Sequence, residues 1–179
     1  YVGDPFTSEW LDALERPNVI GAAFDAAGTV WMLTDSGTTA VAEYQLGTSL
    51  VESRVDIGDA FEGDLVIVDN RAVVFTDSLS VRIVDLDNNM LVAPVDITGL
   101  EAVNAVTGAA KVEGAFWIST RESDNATTSD LWRLDHANDL SAFSWAEGPI
   151  TVPGLLTDLA PVYGHQADCE AFFALFDGG

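Results

Sequence analysis

The sequence predicts an all-β protein assembled from repeated four-stranded antiparallel units, and three observations carry that expectation. From Val19 onward the apolar residues fall in short runs rich in Val, Ile, Phe and Trp, separated by clusters of Gly, Asn, Asp and Ser. That is the chemistry of strands and turns. One such run, Gly28-Thr-Val-Trp-Met-Leu-Thr-Asp-Ser36, recurs as Asn70-Arg-Ala-Val-Val-Phe-Thr-Asp-Ser78 and again as Glu113-Gly-Ala-Phe-Trp-Ile-Ser-Thr120, at spacings of 42 and 43 residues. Composition supplies the third: 48% of the 179 residues are hydrophobic and the mean hydropathy is +0.20, enough apolar material for a buried core, which excludes an intrinsically disordered chain.

In chain order, residues 6–16 place Phe6, Trp10, Leu11 and Leu14 at helical spacing, with Thr7 or Ser8 available as an N-cap and Pro17 as a stop. A short amphipathic helix is expected in this N-terminal segment, 1–17. Each later unit opens with a short apolar strand, Ile20–Phe24, Asp64–Val68 and Gly108–Val112. The recurring run is its second strand. A third strand follows at Thr39–Tyr44, Ser80–Asp85 and Ser129–Asp135, and a fourth at Leu50–Ile57 and Met90–Ile97, where Val-Asp-Ile falls at 55–57 and 95–97. The third unit carries polar insertions at Glu122–Thr128 and Ala146–Pro149, both expected on loops. A fourth unit begins with Leu159–Tyr163 and Ala171–Leu175.

Four strands per period of about 42 residues is the content of one β-propeller blade. The expectation is therefore a partial β-propeller over 18–179, with blades at about 18–57, 58–98 and 99–153 and a partial blade at 154–179. An incomplete ring leaves sheets uncovered, so a protein partner or a second copy is expected to complete the propeller. In the third unit, Ala115-Phe-Trp-Ile-Ser-Thr-Arg121 followed by Asp130-Leu-Trp-Arg-Leu-Asp135 resembles the bacterial β-propeller superfamily with TolB-like, or WD40-like, repeats. YncE-like and quinoprotein-like propellers are similar. Units one and two depart from the pattern, with Asp35-Ser36 and Asp77-Ser78 where the Arg would stand. The resemblance spans roughly 18–179 and implies a fold rather than a function.

Seven basic against 29 acidic residues give a net charge of −22 and a pI near 4.1. Binding nucleic acid needs Lys and Arg to neutralise phosphates, so that class is excluded, as is docking on anionic lipid. No apolar stretch reaches the length of a membrane span, so no membrane insertion is expected. The opening Tyr1-Val-Gly-Asp-Pro reads as that of a processed or excised chain. Cys169 stands alone, either as a small buried hydrophobe or as the partner of a cysteine elsewhere. An acidic, Lys-poor surface fits an extracellular, periplasmic or cell-surface setting.

Candidate site residues are few. Asp35 and Asp77 occupy the same position of successive units and are candidates to face a shared ligand or a cation near the channel, although Thr-Asp-Ser also builds an ordinary Asx turn. Trp145, beside the Glu147-Gly148-Pro149 turn, is the aromatic expected to be exposed and a candidate to stack on a sugar ring, with packing in the core or at a sheet edge as the alternative. Asp85, Asp87 and Asn89 resemble the opening of a calcium loop, yet Met90 and Asp96 stand where an EF-hand needs Gly and Glu. No cofactor is predicted beyond Ca²⁺ at that hairpin. His136 and His165 read as surface residues, because they and Cys169 form no zinc spacing. Asn125-Ala-Thr127 is a glycosylation sequon on the longest expected loop. The first functional expectation is a non-catalytic secreted or surface module mediating protein–protein interaction or assembly. The alternative is a ligand-binding or hydrolase- or lyase-type propeller with carboxylates over its channel.

Overall fold

The computed structural model describes residues 18–35, 38–44, 51–59, 63–77, 79–99, 105–123, 125–161 and 172–176. The helix expected over 6–16 lies outside them. The described residues form strands and turns with no helix, and no helix among them is long and apolar enough to cross a membrane. Strands β1 (Asn18–Phe24), β2 (Val30–Asp35), β3 (Thr38–Tyr44) and β4 (Val51–Asp59) make an antiparallel sheet in chain order. Next come β5 (Gly63–Val68), β6 (Arg71–Thr76) and β7 (Ser80–Asp85), with β8 (Met90–Leu91) and β9 (Val95–Thr98) both paired to β7. The third group is β10 (Ala105–Val112), β11 (Ala115–Arg121), β12 (Thr128–His136) and β13 (Phe143–Pro153). A two-stranded sheet of β14 (Leu156–Pro161) and β15 (Phe172–Phe176) follows.

Local chemistry explains the hairpins. Asp69-Asn70 joins β5 to β6 and Glu113-Gly114 joins β10 to β11, and all four residues have positive φ (47°, 56°, 53° and 75°). Two consecutive left-handed residues are the signature of the type I′ turn, whose twist matches that of the flanking strands. Between β1 and β2, Asp25 accepts from Ala27 N at 2.9 Å, Thr29 N at 2.8 Å and the Trp31 indole at 3.1 Å.

Two sequence expectations change here. The strand expected over Met90–Ile97 is split into β8 and β9, because Pro94 has no N–H to give to a ladder. The insertion Ala146–Pro149, expected as a loop, lies within β13, where the pairing with β12 shifts register around Arg133 and Gly148 takes φ of 126°. The extra residues are absorbed as a bulge.

A short parallel pairing of β9 with β13, Ile97 with Phe143 and Thr98 with Ser144, joins the second and third groups into one path from β10 through β13, β9 and β7 to β5. Its end strands β5 and β10 pack against each other, so the sheet is nearly closed and barrel-like. The interior holds Phe75, Phe116 and Phe143, with ring centroids 5.3, 5.9 and 5.6 Å apart, among Ile83, Ile118 and Leu134. Burying each such ring is worth about 1.5–3 kcal/mol.

The middle strands read as unbroken apolar runs because both of their faces are covered. Val73 and Phe75 point into that interior, whereas Ala72 and Val74 pack against Trp31, Leu33, Val41 and Ile57 of the first sheet. On the other side of the third group, Ala110, Trp117 and Leu131 meet Leu156 and Leu159 of β14. The opening strands consequently stand in series, β1 against β5, β5 against β10 and β10 against β14.

Candidate functional site

The residues that matter lie where these opening strands converge. Their sequences alternate: Gly21-Ala22 in β1, Asp64-Leu65 in β5, Gly108-Ala109 in β10 and Asp158-Leu159 in β14. The glycines are demanded by proximity. A Cβ on Gly21 would stand 2.5 Å from Asp64 Oδ1, and one on Gly108 would stand 2.6 Å from Leu159 N and 2.9 Å from Asp158 Cα. Irregular pairing immediately before Gly21, Gly108 and Asp158 brings these strands close together.

Asp64 is buried, 6% exposed. Its Oδ1 accepts the Leu65 N–H at 2.8 Å, and its Oδ2 accepts the Ala109 N–H of the next group at 2.7 Å. Asp158, half-buried, repeats the local motif, with Oδ1 accepting Leu159 N–H at 2.7 Å. The two carboxyl groups are hydrogen-bonded to each other. Burial, followed by the Asp158 charge, pushes the Asp64 carboxyl up to about 8 against the pull of its backbone donors. Burial also raises Asp158, offset by the Leu159 N–H and by Asp64. Two carboxyl oxygens can share a hydrogen bond only through a proton, so near neutrality the pair holds one proton and one negative charge.

A cavity of about 290 Å³ opens beside the pair, between β1, β5, β10 and β14. Apart from the two acids its walls are apolar, formed by Ala22–Phe24, Leu65–Ile67, Ala109, Leu159 and Ala160. A second, polar hollow of about 320 Å³ sits at the β11–β12 loop among Thr120, Glu122, Asn125, Asp130 and Thr151.

The sequence-derived candidates lie elsewhere. Asp35 ends β2 opposite Asn18 and Thr39, and Asp77 directly follows β6; neither lines the cavity at Asp64. Trp145 is 44% exposed on β13 and meets Trp132 edge-on at 6.5 Å. Asp85 accepts from Asn88 N at 3.1 Å and Asn88 Nδ2 at 2.9 Å, and these bonds hold its carboxyl below the usual range. Asp87 accepts from Asn70 Nδ2 at 3.2 Å, and Asn89 is an exposed residue with φ of 50°. These are the bonds of a turn. Among the described residues no group of three or more His, Cys, Asp or Glu is placed to hold a metal ion. Asn125 is exposed on the loop before β12.

His136 is half-buried between Phe116 and Phe143, with its ring nitrogens against Ala137 O at 2.8 Å and Gly114 O at 2.9 Å. It is not a free surface group. His165 and Cys169 lie outside the described residues. The Asp64–Asp158 pair is what sequence reasoning missed. Its signal was the repeated Asp-Leu in the opening strands of alternate units.

No family model matches the chain, and no curated protein does. Among solved structures it is similar to the computationally designed Ika4 protein, at 15% identity over 91% of this chain and 93% of that one, with a TM-score of 0.53. That likeness concerns the fold alone. An exo-beta-1,3-galactanase from Phanerochaete chrysosporium, crystallised with beta-1,3-galactotriose, aligns at 13% identity over 82% of this chain and 39% of that one. Its TM-score of 0.47 lends it no weight here.

Proposed function

We propose that the chain forms consecutive blades of a β-propeller, β1–β4, β5–β9, β10–β13 and the opening strands β14–β15 of another, and acts as a non-catalytic secreted or surface module for protein–protein interaction or assembly. The serial packing of the opening strands supports the blade reading, because blades meet through the strands nearest the central channel. The observation that carries the non-catalytic reading is the bonding of the buried acids. Both Asp64 oxygens and one Asp158 oxygen accept backbone N–H groups, and the pair then bonds to itself. These carboxylates are spent on holding strands together.

An interaction role is supported by Leu175, which is 54% exposed on the two-stranded β14–β15 sheet, a kind of sheet that gains stability only when covered. The cover in this reading is a protein partner or a second copy, and the excess of 29 acidic over 7 basic residues fits an exterior setting. Sedimentation of the 19.0 kDa chain tests this. The wild type is expected in a larger particle that Leu175→Asp dissociates. A wild-type monomer, alone and in the presence of its source extract, would contradict the reading.

The cavity beside Asp158 favours one second reading, a small-molecule site at the channel. Saturable binding of a ligand that Asp158→Asn abolishes would establish it in place of the first.

A further inference from the structure

We propose that Asp64 and Asp158 form a proton-operated clasp that holds the β14–β15 hairpin onto β5 and β10 and loosens it as the pH rises. Asp64 belongs to β5, takes the Ala109 N–H of β10 and bonds Asp158 of β14, so one buried carboxyl ties three strands from three successive groups. Asp64 Oδ1 packs against Gly21 of β1 and the backbone of Asp158 packs against Gly108 of β10, so the strands that carry the two acids lie in close contact with their neighbours. The tie between the acids exists only while one of them carries a proton.

Among the described residues nothing lining the cavity replaces that proton. Strands β1 and β15 contain no ionisable residue, and β5 and β14 contain only Asp64 and Asp158. On the neighbouring strands, Lys111 of β10 lies over the Phe116 ring at 5.5 Å, and Arg71 of β6 donates to Asp139 O at 2.9 Å. Asp35 ends β2 opposite Asn18, and Arg121 ends β11 opposite Ala105; neither lines the cavity beside the pair. Asp25, just beyond β1, is occupied by the Ala27, Thr29 and Trp31 donors. Among the described residues no cation lines the cavity. When the shared proton leaves to solvent, two carboxylates face each other in apolar surroundings, and separating β14 from β5 relieves the repulsion.

The sign follows from linkage. The folded pair binds a proton that an exposed Asp, with a pKa near 3.9, has released. Docking of β14–β15 is therefore strongest in acid and weakens as pH climbs, levelling once the folded pair has itself deprotonated, near the value of about 8 reached by Asp64.

Asp158→Asn separates the clasp from mere packing. The substituted side-chain amide keeps an acceptor for Leu159 N–H and offers an N–H to Asp64, which removes the Asp158 charge and the need for a shared proton and leaves burial as the cause that raises Asp64. The test is amide exchange by NMR from pH 5 to 9, corrected for intrinsic rates, in wild type and Asp158→Asn. In the wild type the opening constants at Ala109 and Leu159 are expected to rise by up to about tenfold per pH unit and then level, while Leu33 and Val41 of the first sheet stay flat. In the variant the rise at Ala109 and Leu159 is expected to be clearly shallower, because only burial still raises Asp64. The same slope in the variant, or in Leu33 and Val41, or no slope in the wild type, would overturn the clasp. An infrared spectrum of the wild type gives a reading independent of any variant: a protonated-carboxyl stretch must be present at pH 6 and lost by pH 10, and its absence at pH 6 refutes the proposal.

Discussion

Replacing Gly108 by alanine attacks the closest approach between successive groups, and its cost can be worked from the geometry. The added Cβ would lie 2.6 Å from Leu159 N, 2.8 Å from the Asp158 carbonyl carbon and 2.9 Å from Asp158 Cα, where ordinary contact begins near 3.4 Å. Strand β14 would have to retreat by almost 1 Å. It is poorly placed to do so, because Leu156 N–H is held by the buried Ser129 Oγ of β12 at 2.9 Å. Overpacking costs about 1–3 kcal/mol in general, and a clash with backbone on a tethered strand belongs at about 2–3. With a urea m-value of about 2 kcal/mol/M, the unfolding midpoint should fall by roughly 1–1.5 M.

The control is Gly28→Ala, where φ is +86° and a Cβ meets nothing within 4 Å. That change costs only the left-handed backbone, about 1 kcal/mol, or roughly 0.5 M in midpoint. Tryptophan fluorescence in urea reads both. A Gly108→Ala midpoint equal to or above that of Gly28→Ala would refute the close packing of β10 on β14.

Phe116→Ala removes the ring that touches both Phe75 and Phe143, so a loss of about 3–5 kcal/mol is expected, read as a fall of roughly 6–20 °C in Tm at about 2–4 °C per kcal/mol; a fall under about 3 °C would contradict the description of that interior. For Asp25, burial raises the carboxyl, but the Trp31, Thr29 and Ala27 donors outweigh it and hold it below 3.8. Its contribution is thus present above the ordinary carboxylate range and lost as pH falls through the lowered value. Asp25→Ala should cost about 1 kcal/mol at pH 7, after allowance for solvent screening, and almost nothing in strong acid; a pH-independent loss would contradict the assignment.

The all-β class was legible because burial leaves a direct trace in sequence. Runs such as Ala72-Val-Val-Phe75 are apolar at every position because each sits between two sheets, and a strand covered on both faces has no polar alternation to show. The type I′ turns were legible in part, since Glu113-Gly114 carries the expected Gly, whereas Asp69-Asn70 reaches the same conformation without one. The Asp64–Asp158 pair was not, because its meaning depends on which strands become neighbours. Asp-Leu at the head of a strand looks like turn chemistry until Ala109 N–H is brought to it from 45 residues away. Asp35 and Asp77 repeat in the best-aligned strand, and a repeat position reports equivalence among units; neither lines the cavity beside the pair. The Ala146–Pro149 insertion misled for a related reason: a bulge and a loop add the same residues, and only the β12 partner distinguishes them.

The central claim is that successive groups stand with their opening strands side by side, tied through Asp64. The Ala109 amide tests it most directly, since its 2.7 Å bond to Asp64 Oδ2 crosses from one group to the next. An NMR experiment that detects scalar coupling through hydrogen bonds should connect Ala109 N to the Asp64 carboxyl carbon, with the amide strongly protected from exchange at acidic pH. An Ala109 amide with no such coupling, exchanging at the rate of an unstructured chain, would contradict the arrangement of strands on which the whole account rests.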